Sequence, residues 1–220
     1  MFWNTSGVLG KVRGVMKASK IARIRPARVA AVALLPLLAI ALSGCGTGAA
    51  KNDTFDLAGA RVADGGSKRN VQILIPEPTA LQSINSEQII VRVAGSEIQN
   101  LGQSQWADRL PSMVQAKLLE GFENSGKLGG VGKPGQGLAI DYQVVSEIRA
   151  FEIDTVGTNR ALVEISVKIL NDRNGTVRAH RVFRATAPVS GGANYAYVRG
   201  LNDAFSKVAS EIVSWTLQSV

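Results

Sequence analysis

The chain has 220 residues, among them 25 Lys and Arg, 17 Asp and Glu, one His and one Cys, so its formal net charge is +8 at pH 7. A single thiol cannot form an intrachain disulfide, and one His beside one Cys gives little basis for a metal site. We therefore predict neither a bound metal nor a cofactor. The length fits one domain of ordinary size together with a targeting segment.

The first 44 residues have the three parts of an export signal. Seven basic residues lie between Lys11 and Arg28, an apolar run covers residues 29–42, and small residues lead to Cys45. The apolar run contains a proline and is too short for a spanning helix, which needs about 20 residues. The order Leu-Ser-Gly-Cys that ends at Cys45 is typical of a bacterial lipobox.

Similarity to lipoprotein signals implies that the chain is cut before Cys45 and that diacylglycerol is attached to its sulfur. The alternative is an uncleaved export segment with a free thiol. By resemblance to lipoprotein sorting rules, Gly46 after the cysteine favours the outer membrane, on its periplasmic face. Because Met16 precedes a signal of more usual length, the start codon is either Met1 or Met16.

Cleavage would remove the excess of positive charge. All seven basic residues before Cys45 leave with the signal and no acidic one does, so 18 basic residues against 17 acids leave a net charge of +1. A charge this small argues against nucleic acid as a partner. We predict a signal peptide over residues 1–44, a lipidated flexible tether over 45–53 and one domain over 54–220.

The first half of that domain shows two strands, a hairpin and a helix. Short β-branched runs predict strands over residues 71–75 and 88–93, and the second strand pairs with residues 96–100. From Pro111 the apolar residues recur at helical spacing, and Gly126 supplies the stop. Strict alternation then predicts a strand over residues 138–150.

The second half contains the most secure contact that the sequence predicts. Residues 161–170 and 176–187 alternate and are joined by turn residues, which predicts an antiparallel hairpin. Residues 194–217 form a long amphipathic helix, whose apolar face covers the core or, alternatively, a membrane or a partner. The fold class is therefore α+β, a two-layer sandwich of a mostly antiparallel sheet with two main helices on one face.

Two motifs could indicate chemistry. Residues 129–135 resemble a phosphate loop, but Pro134 stands where Ser or Thr should bind magnesium and Lys127 replaces the first glycine, so we predict a flexible loop. His180 lies between Arg178 and Arg181 in a predicted strand, which favours a solvated imidazole over a general base.

Charged residues give no catalytic pair from their spacing. Five carboxylates are candidates by residue type: Glu77, Glu87, Asp108, Glu120 and Glu123. They are scattered through loops and a helix, so we predict no catalytic residue. The arginines of the second hairpin strand, Arg178, Arg181 and Arg184, are either a solvated strand face or a contact with anionic headgroups.

Residues 76–92 followed by Gln105-Trp106-Ala107-Asp108-Arg109-Leu110-Pro111, all after a lipobox, resemble the ABC-type transport auxiliary lipoproteins of the PqiC and YmbA kind. Phe55-Asp56-Leu57 occupies the place of the opening strand of that family. Where many members carry aromatic residues before the Trp motif, this chain has Asn100, Leu101 and Gly102. Trp106 is either part of a docking surface or a core residue at the helix start, and we predict the latter.

The resemblance implies a non-enzymatic partner of an MCE-domain (mammalian cell entry) protein and an ABC transporter permease and ATPase complex. Such a system moves phospholipids or other hydrophobic molecules between the two membranes of a Gram-negative envelope. It also makes a homo-oligomer plausible. Two other classes stay open, a stand-alone periplasmic lipid-binding carrier and, less favoured, an envelope hydrolase.

Overall fold

The computed structural model of the chain describes residues 52–60 and 67–220. All of them belong to the second of two compact units into which the chain divides. The described residues form nine strands and two helices. In chain order these are β1 (Asp53–Phe55), β2 (Lys68–Leu74), β3 (Thr79–Ala80), β4 (Gln88–Ala94), β5 (Glu97–Trp106), α1 (Leu110–Ser125), β6 (Leu128–Gly132), β7 (Tyr142–Asp154), β8 (Arg160–Asn171), β9 (Val177–Pro188) and α2 (Asn194–Ser219).

The sheet is organised around β7, whose two edges are used differently. One edge pairs antiparallel with β8 along its whole length, and β8 pairs antiparallel with β9, as the predicted hairpin requires. The other edge is shared by three short parallel strands, β2 at the start of β7, β3 in the middle and β4 at the end. Beyond β4 lie β5, antiparallel, and then β1, parallel. At this end of β7 the strand order is therefore β1-β5-β4-β7-β8-β9.

Both helices cover the apolar face of this sheet. Cross-strand pairs such as Ile148 with Ile165 and Phe151 with Val163 are buried because alternate residues of a strand point to one face. Helix α2 packs on β8 and β9, and α1 packs on α2 and β6. One core cluster joins the buried residues of sheet and helices. The predicted two-layer α+β fold is confirmed, and the apolar face of α2 lies on the core.

Helix α1 begins and ends where its sequence indicates. Pro111 lies in the first turn, and Gly126 ends the helix in a left-handed conformation with φ of 61°, its N–H donating to the carbonyl of Glu123 at 3.0 Å. Gly121 lies on the buried face of α1. A Cβ at this position would come within 2.8 Å of the Cβ of Ala60, so a larger residue would require the neighbouring chain to shift. Neither helix of the described residues is long and apolar enough to cross a membrane.

The glycine-rich segment after α1 is not a flexible loop throughout, so that prediction is wrong for its first half. Strand β6 pairs parallel with β2, with Gly130 opposite Gln72. A Cβ on Gly129 would lie 2.3 Å from the carbonyl oxygen of Arg69, so only glycine permits this close approach. Tertiary pairing therefore overrides the low strand propensity of glycine. Residues 133–141 form the loop between β6 and β7.

The strand predicted at residues 138–150 is also misplaced at its start. Strand β7 begins at Tyr142, and Leu138 is exposed. Asp141 ends the preceding loop by bonding the edge of β2: its N–H donates to the carbonyl of Gln72, and its carboxylate accepts the N–H of Gln72, each at 3.0 Å. At the other end β7 continues to Asp154. Strand β5 likewise continues past the predicted residue 100 to Trp106.

Candidate docking surface

Trp106 lies in the core at the junction between β5 and α1. Its side chain is 1% exposed, and its ring makes an edge contact with the ring of Phe151 at 5.8 Å between centroids. Its backbone N–H donates to the carbonyl of Glu87 at 2.8 Å. The prediction of a core residue at the helix start is confirmed, and Trp106 is not accessible to a partner.

Arg109 ties the start of α1 to the loop that precedes β4. Its guanidinium donates to the Asn85 side chain and to a carboxylate oxygen of Glu77, each at 2.6 Å. The N–H of Leu110 donates to the carbonyl of Ser86 at 3.0 Å. We call residues 106–111 the junction motif. Its polar side chains connect two segments of the chain rather than form a binding site.

Asp108 completes the junction motif by holding the first turn of α1. One carboxylate oxygen accepts the Ser112 hydroxyl at 2.8 Å, and the other accepts the backbone N–H of Arg109 at 2.6 Å. The bond from Ser112, followed by that from Arg109, lowers the pKa of Asp108 below its usual value. An ionised carboxylate also interacts favourably with a helix N-terminus. The bonds of Asp108 within the first turn of α1 therefore account for its lowered pKa.

The remaining carboxylate candidates do not assemble into a site. Glu77 is bound by Arg109, and Glu120 lies 3.9 Å from Lys117 within α1. The backbone carbonyls of Glu87 and Glu123 accept hydrogen bonds from the N–H groups of Trp106 and Gly126. Over residues 52–60 and 67–220, no group of three or more His, Cys, Asp or Glu side chains could hold a metal ion. The structure therefore gives these residues no shared chemistry.

His180 has a partner that the sequence did not indicate. Its Nε2 lies 3.0 Å from Oγ of Ser166 on the neighbouring strand β8. A Ser and His pair occurs in hydrolases, but the catalytic arrangement needs a carboxylate on the other ring nitrogen. No carboxylate of the described residues accepts a hydrogen bond from that nitrogen. Ser166 is only 3% exposed, so a substrate has little access to its hydroxyl. His180 itself is exposed, as predicted.

The sheet face opposite the helices carries a ladder of ion pairs. Arg92 on β4 makes two hydrogen bonds of 2.7 Å with the two carboxylate oxygens of Glu152 on β7. Arg160 bonds Asp154 at 2.7 Å, and Arg184 lies 3.6 Å from Glu164. The bonds from Arg160 and from a backbone N–H lower the pKa of Asp154. Most charges on this face are satisfied across the sheet.

The ladder makes a pH-dependent contribution to stability. Because the pKa of Asp154 is lower in the folded than in the unfolded chain, its ionised form stabilises the fold above about pH 4, and that stabilisation disappears as the pH falls through the folded pKa. We expect the free energy of unfolding of Asp154→Asn to decrease less than that of the wild type as the pH falls below about 4. Urea unfolding at several pH values measures this. Arg160→Gln should flatten the same region, and an unchanged slope in both variants would contradict the assignment.

The arginines of β9 lie along the outer edge of the sheet. We call Arg178, His180, Arg181 and Arg184 the basic edge. The guanidinium of Arg178 lies 5.6 Å from the Tyr142 ring centroid and donates to the backbone carbonyl of Ser219. That of Arg181 lies 4.9 Å from the ring centroid of Phe183. All four side chains belong to exposed residues, which fits both a solvated strand face and a contact with anionic headgroups.

A groove open to solvent runs between β9 and α2. One part has a volume of about 480 Å³ and a second part about 390 Å³, and Ser210 lines both. We call the two parts together the edge groove. Its lining consists of Arg181, Ala187, Pro188, Asp203, Ser206, Lys207, Ser210, Glu211, Ser214, Trp215 and Gln218. The edge groove is the best candidate for a docking surface because it adjoins a strand edge.

Residues 100–102, which depart from the family pattern, contact the start of α2. The Asn194 side chain donates to the carbonyl of Gly102 at 2.8 Å and to the hydroxyl of Ser104 at 2.7 Å. Leu101 packs against the core while half-buried. This stretch therefore ties the start of α2 to β5. Cys45 lies outside the described residues, and its role stays a prediction.

The fold and the surface together define a two-layer α+β domain. Its most distinctive motif, the junction motif, connects segments of the fold. A family model described as the ABC-type transport auxiliary lipoprotein component matches residues 54–213. This match covers most of the chain, and the chain belongs to that family. The resemblance seen in residues 76–92 and in the junction motif is thereby confirmed.

The chain is also similar to a curated protein and to solved structures. The uncharacterized protein bll6063 of Bradyrhizobium diazoefficiens is 30% identical over 151 residues, which are 69% of this chain and 41% of that protein. The chain thus spans about two fifths of the length of this curated relative. Among solved structures, protein XCC0632 of Xanthomonas campestris, from the DUF330 family, is 26% identical with a TM-score of 0.71, covering 76% of this chain and 95% of that one. The hypothetical protein CT253 of Chlamydia trachomatis shares the fold, with 11% identity, a TM-score of 0.51 and coverage of 70% and 98%.

Proposed function

We propose that the protein is a lipid-anchored, periplasmic auxiliary component of an ABC transport system, attached through Cys45 to the outer membrane. In this role it works beside an MCE-domain protein and an ABC permease and ATPase complex that move phospholipids between the membranes. The observation that carries the proposal is the order of the chain. A lipobox that ends at Cys45 is followed after a short segment by the family domain from residue 54.

The tether keeps the domain close to its membrane. A flexible chain of seven residues, the number between Cys45 and β1, has a root-mean-square span of roughly 15 Å, so the proposed tether would place the domain near the headgroups without fixing its orientation. The chain joins the sheet at β1, where Asp53 pairs with Ser104. Anchoring raises the effective concentration of the domain at the membrane and so favours docking of a periplasmic assembly there.

The geometry supports a docking role rather than catalysis or transport of lipid inside the domain. The space between sheet and helices is filled by buried side chains such as Phe122, Phe151 and Phe205. The edge groove is open to solvent and contains several charged and hydroxyl side chains. The Ser166 and His180 pair lacks both a bonded carboxylate and access for a substrate. We therefore propose that the protein is not an enzyme.

A genetic test separates an auxiliary role in one transport system from an independent role. We expect deletion of the gene for this protein to raise uptake of a hydrophobic dye, 1-N-phenylnaphthylamine, to the same extent as deletion of the ATPase gene of the MCE system. The double deletion should add nothing further, because both products act in one process. An additive double deletion would show that the protein acts in another pathway. Reintroducing each gene on a plasmid is the control.

A further inference from the structure

Strand β9 is paired on one edge only among the residues that the structure describes. Its twelve residues, Val177–Pro188, pair with β8, and no other described strand adjoins them. The outer edge of such a strand presents backbone N–H and C=O groups that can pair with a further strand. Addition of an extended segment to an exposed sheet edge is a common mode of protein recognition. The length of β9 provides room for a long added strand.

The edge groove lies where such a strand would place its side chains. Residues of an added strand point alternately to the two faces of the sheet, and on the helix side they would meet α2. There Trp215 is half-buried, and its ring lies 5.4 Å from that of Phe183 on β9. The small side chains Ser206, Ser210 and Ser214 line the same side of the groove. The groove can therefore accept side chains of an added strand beside an aromatic surface.

The charge of β9 favours one class of occupant. The strand contains three arginines and the only histidine of the chain, and no Asp or Glu. Arg184 already has Glu164 as a partner, whereas Arg181 contacts the Phe183 ring and makes no ion pair with any described residue. Lys207 adds a further positive charge to the groove, against Asp203 and Glu211 on α2. Opposite charges on neighbouring strands stabilise their pairing, so an acidic segment fits this edge best.

A second copy of this chain fits the edge less well. Antiparallel pairing of two β9 strands about Arg181 would place the two Arg181 side chains opposite each other and Arg178 opposite Arg184. Like charges directly opposite are destabilising. Pairing of β9 with β1 of another copy would use only the three residues Asp53–Phe55 and leave most of β9 uncovered. Asp56, which follows β1, is already bound by Lys117 at 3.1 Å.

We propose that an extended, acidic segment of a partner protein adds as a strand to the free edge of β9, with alternate side chains in the edge groove. Strand β9 is the opposite edge of the sheet from β1, where the chain from the tether joins. Five strand spacings separate them, roughly 24 Å at the usual distance between strands. The proposal takes only one point from the proposed function, namely that the partner is met in the periplasm. Any periplasmic protein with an extended acidic segment could bind in this way.

Site-specific photo-crosslinking in the full-length protein in cells tests this. The crosslinker is placed at Val182 and Thr186, both exposed on β9, and at Leu81 as a control that is 72% exposed elsewhere. We expect the two β9 positions to label the same acidic segment of one partner, about tenfold above the control. Arg181→Glu should reduce the adduct about tenfold, whereas Arg173→Glu, in the exposed turn after β8, should leave it unchanged.

A synthetic peptide with the sequence of the labelled segment then tests strand pairing. It should bind the full-length protein in detergent, and N-methylation of alternate residues along one edge of the peptide should abolish binding, because it removes the backbone donors. The proposal would be overturned by adducts with lipid alone, by adducts with another copy of this chain or by the absence of adducts. It would also be overturned by peptide binding that tolerates N-methylation of alternate residues along either edge. If the partner is not part of an ABC system, strand addition stands while the proposed function fails.

Discussion

Replacement of Trp106 by alanine should lower the free energy of unfolding by about 3–5 kcal/mol, as expected for truncation of a large buried aromatic side chain. The ring is 1% exposed and contacts Phe151, which in turn contacts Phe205 of α2 at 5.8 Å. The cavity would therefore open at the point where the sheet meets both the start of α1 and the face covered by α2. The loss falls lower in this range if the surrounding side chains collapse further into the cavity.

Urea unfolding followed by circular dichroism measures this change, because fluorescence would lose one of its reporters with Trp106. A suitable protein begins at residue 45 and carries Cys45→Ser, so that no lipid interferes. Leu81→Ala serves as the matched control, since Leu81 is 72% exposed and its truncation should change the free energy of unfolding by less than about 0.5 kcal/mol. A loss below about 1 kcal/mol for Trp106→Ala would contradict the buried position of the ring.

Cys45→Ser should release the protein from membranes almost completely. Without the thiol no diacylglycerol can be attached, and each buried methylene of such an anchor contributes about 0.8 kcal/mol to membrane binding. The effect is therefore expected to be nearly all-or-none, in contrast to the graded effects of substitutions in the domain.

Membrane fractionation with a high-salt wash, together with the intact mass of the extracted protein, tests the anchor. The wild type should remain in the outer-membrane fraction and carry the added mass of a diacylglycerol group, and Cys45→Ser should appear in the soluble fraction. Ser43→Ala keeps a small residue in the lipobox and should behave as the wild type. Unchanged fractionation of Cys45→Ser with no lipid mass on the wild type would show that the segment is an uncleaved export signal.

The hairpin of β8 and β9 and helix α2 could be predicted because each carries its own signal. Apolar residues recur at every second position from Ala161 to Ile169, and all of them are buried. The turn at Asn171–Gly175 has residues that tolerate special backbone angles, and the apolar stripe of α2 recurs every three or four residues. Local pattern and global fold agree in these elements. The two-layer arrangement follows from them because each apolar face needs a partner to bury it.

Other elements depend on contacts between distant segments, which a single sequence does not display. Strands β1 and β3 have three and two residues and exist only because β5 and β7 offer free edges. Strand β6 is rich in glycine, a poor strand former, and is stabilised by its close approach to β2. The sharing of one edge of β7 by three short strands likewise has no local sequence signal.

The candidate site shows the same division. The junction motif was recognisable from the sequence, and the core position of Trp106 at the helix start was predicted. The contact of Trp106 with Phe151 and the hydrogen bonds from Arg109 to Asn85 and Glu77 could not be predicted, because they join segments that are distant in the chain. The motif that identifies the family therefore explains the fold rather than the contact with a partner. The free edge of β9 could not be predicted, because a sequence shows that a strand exists but not which of its edges is paired.

Co-isolation of partners tests the central claim, that the protein is an auxiliary of an ABC transport system, most directly. The lipidated full-length protein is crosslinked mildly in cells, extracted in detergent and analysed by quantitative mass spectrometry, with an unrelated outer-membrane lipoprotein as control. The account predicts enrichment of an MCE-domain protein together with the permease or ATPase of its ABC transporter. Reproducible absence of all three, at an extraction that retains known complexes of the control, would contradict it.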